Sequence, residues 1–92
     1  MITAIGNLRT TNQDGVKKVA VDVRADQNGA DATLHFEVID QTFDQPVQLN
    51  PDEARSVEAT HNASGEGFVT VTVVGADKQT HKWLNVDARE AF

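Results

Sequence analysis

Apolar and polar residues alternate with a period of two through most of this chain, the spacing that gives a pleated strand one apolar face and one polar face. In Val19-Ala20-Val21-Asp22-Val23-Arg24 the valines at 19, 21 and 23 share a face. Thr33-Leu34-His35-Phe36-Glu37-Val38 repeats the arrangement with Leu34, Phe36 and Val38, and Phe68-Val69-Thr70-Val71-Thr72-Val73 repeats it with Val69, Val71 and Val73. Valine and threonine suit a half-buried sheet. Asp14-Gly15, Asp26-Gln27-Asn28-Gly29, Ser64-Gly65-Glu66-Gly67 and Gly75-Ala76-Asp77-Lys78 separate the runs, and these residue types accept the positive φ of tight turns. The pattern predicts strands over 2–10, 16–25, 31–40, 46–49, 54–61, 67–75 and 79–87. That spacing suggests an all-β antiparallel sandwich or barrel, with the sandwich expected and residues 1–92 as one domain.

One segment is ambiguous. Asn50-Pro51-Asp52-Glu53 is a good helix start, with Asn50 as N-cap, Pro51 in the first turn and two acidic residues behind it. A helix over 51–60 would show only Ala54 and Val57 as its apolar face, whereas a strand turns Val57 and Ala59 inward. The strand is expected; the helix would make the fold α+β.

The run Pro46-Val47-Gln48-Leu49-Asn50-Pro51-Asp52-Glu53-Ala54-Arg55-Ser56-Val57 resembles a phrase of bacterial and phage immunoglobulin-like, or fibronectin III-like, domains. There a strand ending in leucine meets a Pro-Gly-Glu turn, a polar-alternating strand follows, and a small-residue loop leads to a valine- and threonine-rich strand, as Phe68 to Val74 is here. The likeness spans roughly residues 43–87, with Asp52 standing where glycine is usual. It implies an immunoglobulin-like antiparallel β-sandwich of about seven strands with adhesive, spacer or decorating roles, and transfers no catalytic residues.

Charge and composition then narrow the function classes. Fourteen acidic residues against eight basic ones leave a formal charge of −6, which disfavours phosphate-backbone binding and anionic membranes. There is no cysteine to build a disulfide framework or a thiolate metal site. No stretch approaches the roughly 20 apolar residues of a membrane helix, and the segment from Met1 reads as a first strand rather than a leader.

Candidate chemistry is sparse. The serines, Ser56 and Ser64, lie outside any nucleophile-elbow context, so no catalytic site and no cofactor are expected. His35, His61 and His81 fall on three strands without ligand spacing and read as exposed sheet-face residues. Asp26, Asn28 and Asp31 place oxygen ligands at intervals around a glycine and form a weak calcium candidate, although a hairpin turn explains the same residues. Asn62-Ala63-Ser64 matches a glycosylation acceptor and serves here as a loop marker.

Aromatic residues are few, which counts against a sugar-binding face. If Leu84 and Val86 face the core, Trp83 faces out, and with Phe43 and Phe92 it is the candidate interface. The resulting expectation is a non-enzymatic structural or binding module working through surface contacts with a protein partner, or with copies of itself. The setting expected for it is a phage virion, as a capsid-decorating or tail protein. The alternatives are a small acidic inhibitor occupying a basic site on a host protein, in the cytoplasm, and an accessory adhesion module of a secreted bacterial protein.

Overall fold

The computed structural model describes residues 1–88 and contains seven strands: β1 (Ile2–Gln13), β2 (Val16–Ala25), β3 (Ala30–Val38), β4 (Gln41–Leu49), β5 (Ala54–His61), β6 (Glu66–Val73) and β7 (Gln79–Asn85). Every pairing is antiparallel. A three-stranded sheet, β1-β2-β5, faces a four-stranded sheet, β4-β3-β6-β7. This is the all-β antiparallel sandwich expected from the alternation, and its seven strands in two sheets are consistent with an immunoglobulin-like fold.

The core is filled by the residues that the period-two pattern selects. Val19, Val21, Leu34, Phe36, Val38, Val69 and Val71 are fully buried, with Val23 on β2 and Val57 on β5 close to it. Phe36 pairs across with Phe43 on one side and Val71 on the other, and the two phenylalanine rings stack with centroids 5.1 Å apart. Burying a side chain of this kind contributes roughly 1.5–3 kcal/mol, so the central pair β3–β6 carries a large share of the stability.

The residues over 51–60 form a turn and then strand β5, and the helix alternative fails. Asn50 to Glu53 close a tight turn in which the Glu53 N–H donates to the Asn50 carbonyl (3.1 Å) and the Asn50 N–H donates to the Glu53 carboxylate (2.8 Å). Asp52 sits at φ 59°, in the left-handed region that glycine favours and aspartate tolerates. The features that resemble a helix start are the same ones that make a proline turn.

Strand β4 begins earlier than predicted, at Gln41. Its hairpin with β3 is closed by Ile39 and Asp40 alone, and Ile39 takes φ 60° where such turns usually place glycine. A glycine-free two-residue turn leaves no mark in the sequence. By contrast Asp14 and Gly15, both at positive φ, form the expected hairpin between β1 and β2.

The turns β2–β3 and β4–β5 interlock at one pole. The Asp52 N–H donates to the Asp26 carbonyl (2.8 Å), and the Ala25 N–H donates to the Glu53 carbonyl (2.9 Å). Gly29 lies against this joint at φ 75°, where an added Cβ would sit 2.6 Å from the Leu49 carbonyl oxygen. Gly15 has a similar φ but open space around it. Gly15→Ala is therefore expected to cost about 1 kcal/mol, the left-handed penalty alone, and Gly29→Ala about 2 kcal/mol or more. Urea unfolding midpoints of the two variants, compared with the parent, check the ordering.

Candidate functional site

The same alternation that buries Val69, Val71 and Val73 turns Phe68, Thr70, Thr72 and Val74 to the outside of the four-stranded sheet. On β7 the outward positions are Gln79, His81, Trp83 and Asn85, while Leu84 is half-buried and Val86, just beyond the strand, is fully buried. Trp83 thus faces solvent and is 56% exposed; Phe68, directly opposite it in register, is 57% exposed. The two rings meet edge to face with centroids 5.2 Å apart, and His81 approaches Phe68 at 5.8 Å. Such aromatic pairs contribute about 0.5–1.5 kcal/mol beyond their area.

Polar groups frame the pair. The Trp83 indole N–H donates to Glu66 Oε2 at 3.4 Å. In the next row across the sheet, His81, Thr70, Glu37 and Thr42 lie side by side, followed by Thr72, His35 and Asp44. His35 Nδ1 donates to Asp44 Oδ1 at 2.6 Å, and its Nε2 lies 3.8 Å from Glu37. The Phe68 backbone is fixed from below: the Ile39 N–H donates to the Phe68 carbonyl (3.2 Å). The Ile39 side chain rests on Gly67, where a Cβ would stand only 3.0 Å from it. A β-branched residue at positive φ is a strained element, and here it lies directly beneath the exposed aromatic pair.

Of the expected interface residues, Trp83 lies on this surface. Phe43 does not: it occupies a core-side position on β4, stacked on Phe36, because its register places it opposite an inward residue. Phe92 lies outside the described residues. Phe68 joins the site instead. Its place next to Val69 in the alternating run already assigns it to the outer face.

The calcium candidate does not assemble. The Asp26 carboxylate is occupied by the Met1 amino group (2.8 Å) and the Asn28 N–H (3.0 Å), while Asp31 stands on β3 opposite Gln48. Among the described residues no group of three or more histidine, cysteine or acidic side chains is placed to hold a metal.

A second polar cluster closes the opposite pole. The Lys17 ammonium pairs with Asp87 and donates to the Ala63 carbonyl (3.0 Å) and to Ser64 Oγ (3.1 Å), and the Gly65 N–H donates to Asp87 (2.7 Å). Lys17 thereby reaches three acceptors at once. Ser56 likewise donates to Asp22 (2.6 Å), which also receives Asn7 (2.8 Å) and Arg9 (3.0 Å) across the outer face of the three-stranded sheet.

His61 corrects the expectation of exposed histidines. It follows Val57 and Ala59 on the inward side of β5 and is buried; its Nδ1 accepts from the Ala63 N–H (3.2 Å) and its Nε2 has no partner. Burial first, and the Lys17 charge second, hold its imidazole below the usual range.

Comparison with protein-family models, with curated proteins and with solved structures finds no match to this chain.

The titrating groups set a pH dependence with a definite sign. A histidine kept neutral in the folded state lends stability above its unfolded pKa of about 6.5, and that stability is lost as pH falls through and below that value. Asp87, lowered mainly by Lys17, and Asp22, lowered mainly by the Ser56 hydrogen bond, lend stability above about pH 4 that is lost on further acidification. Urea midpoints measured from pH 8 to 3 should therefore fall in two steps. His61→Gln retains an acceptor for the Ala63 N–H but does not titrate, so its profile should lack the upper step and keep the lower one.

Proposed function

We propose that this protein is a non-enzymatic binding module that engages a protein partner through the outer face of its four-stranded sheet, centred on Phe68 and Trp83. The carrying observation is the concentration of apolar exposure there. Among the described residues the large hydrophobic side chains left in solvent are Met1, Val16, Phe68, Val74 and Trp83, and of these Phe68 and Trp83 stand paired on the outer side of β6 and β7, with Val74 just beyond the far end of β6. Scattered exposed hydrophobics are ordinary on a protein surface; an edge-to-face aromatic pair on a small, otherwise polar sheet is the composition of an interface anchor.

Kinship with bacterial and phage immunoglobulin-like domains belongs to this reading. The phrase from Pro46 to Val57 and the seven-strand order support it. In that setting the module decorates a phage particle, and its partner is a capsid or tail protein.

The protein is expected to co-sediment with virions of the phage whose genome encodes it. Trp83→Ala and Phe68→Ala should each weaken that association at least tenfold, while unfolding midpoints show a stability loss of only about 1 kcal/mol from the broken ring contact. Co-sedimentation unaffected by either substitution would remove the aromatic face from the reading. A collapse of the fold on Trp83→Ala would mark the ring as structural.

A further inference from the structure

The two outer faces of the sandwich differ in charge. Outward positions of the four-stranded sheet carry Asp31, Glu37, Asp44 and Glu66, and no lysine or arginine. Outward positions of the three-stranded sheet carry Arg9, Lys18 and Arg24 beside Asp22 and Glu58. The aromatic pair therefore stands within the acidic half of the molecule's surface. Glu66 is bonded to the Trp83 indole N–H on one side of the pair, and Glu37 lies in the neighbouring row on the other.

An exposed indole with a carboxylate at its edge is a receptor for a cationic side chain. The ring face attracts the cation through its quadrupole, and the carboxylate supplies a charge-assisted hydrogen bond. Arginine fits both, since its planar guanidinium stacks on a ring while donating in its own plane.

Three of the four sheet edges carry features that discourage an added strand. A peptide joining as an extra strand needs a free, regular edge. At the β4 edge Pro46 has no N–H to offer. At the β7 edge Lys82, opposite the buried Val69, projects on the core-facing side, where an added strand would cover it. Strand β1 is interrupted by register shifts between Ile2 and Ala4 and between Gly6 and Arg9.

We infer that the aromatic face docks a basic protein segment, with an arginine or lysine of the partner lying on the Trp83 ring beside Glu66. This rests on the reading that the Phe68–Trp83 face is the binding face and adds the chemistry of what it binds.

Trp83 is the single tryptophan, so its indole N–H gives one resolved signal from the site itself. The test is a ¹⁵N-NMR titration of the protein with hexa-arginine and, separately, with an uncharged alanine–serine–leucine hexapeptide. Hexa-arginine should shift the Trp83 indole and the backbone around residues 66–70 and 81–85. Its affinity should fall at least fivefold in Glu66→Gln and less than twofold in Asp14→Asn, which removes the same charge from the distant β1–β2 turn. Added salt should weaken it steeply.

Equal losses in the two variants would mean attraction by net charge alone and would overturn the inference. So would shifts mapping elsewhere, or no shift at all. An uncharged peptide binding the same residues equally well would overturn the cationic partner while leaving the aromatic binding face in place. That face falls separately, through particle association that Trp83→Ala and Phe68→Ala leave unchanged.

Discussion

Burial of the β3–β6 pair against β2 is the constraint on which the rest of the molecule depends. Leu34, Phe36 and Val38 on β3 and Val69 and Val71 on β6 have no solvent exposure, and neither do Val19 and Val21 on the facing sheet. Because side chains alternate strictly along a strand, fixing those residues inward fixes their neighbours outward, and a slip of one residue would exchange the two sets. Phe68 is exposed because Val69 is buried, and Trp83 is exposed because it pairs with Phe68. The candidate site is thus an obligatory consequence of the core. It can be altered without repacking the interior, which separates binding from stability in this fold.

Legibility in the sequence follows the same physics. Strands β2, β3 and β6 could be read because their alternation is uninterrupted and glycine or aspartate marks their ends. β4 reads too short because its turn with β3 holds no glycine and puts the positive φ on Ile39, held by packing on Gly67 that no local signal announces. The stretch from Asn50 could be read two ways because asparagine, proline and two acidic residues start helices and close turns alike. Tertiary bonds from Ala25 and to Asp26 decide it. Trp83 could be placed outward by parity once Val86 was taken as core, and Phe68 by the same rule. Phe43 reads as a loop residue because the first half of β4, Gln41 to Gln45, shows no strong apolar alternation. His61 was missed because its inward parity conflicts with its polarity, and the bond from the Ala63 N–H that accommodates it is a property of the loop.

The two poles of the sandwich are built differently. At one, backbone bonds between the β2–β3 and β4–β5 turns interlock, with Gly29 filling a space closed to any side chain. At the other, a lysine–aspartate pair gathers the β5–β6 loop and the segment after β7, next to a buried imidazole. Carboxylates serve both poles, Asp26 and Glu53 at the first and Asp87 at the second, but the buried histidine stands only at the second. Acid therefore acts first where Lys17, His61 and Asp87 meet, at a distance along β6 from the β2–β3 joint. Ser64 and Gly65, bonded at that pole, lead directly into the strand that carries Phe68.

The charge division also bears on self-association. Two copies meeting through their aromatic faces would bring Glu66, Glu37 and Asp44 of one against the same residues of the other. Like charges placed across an interface oppose it, the more so as water leaves. The formal charge of −6 adds to that repulsion at longer range. A partner of opposite sign meets none of this resistance and neutralises carboxylates that otherwise crowd one face. The arrangement that opposes contact between two such faces is the one that would favour the proposed basic partner, and both follow from which strand positions the core leaves outside.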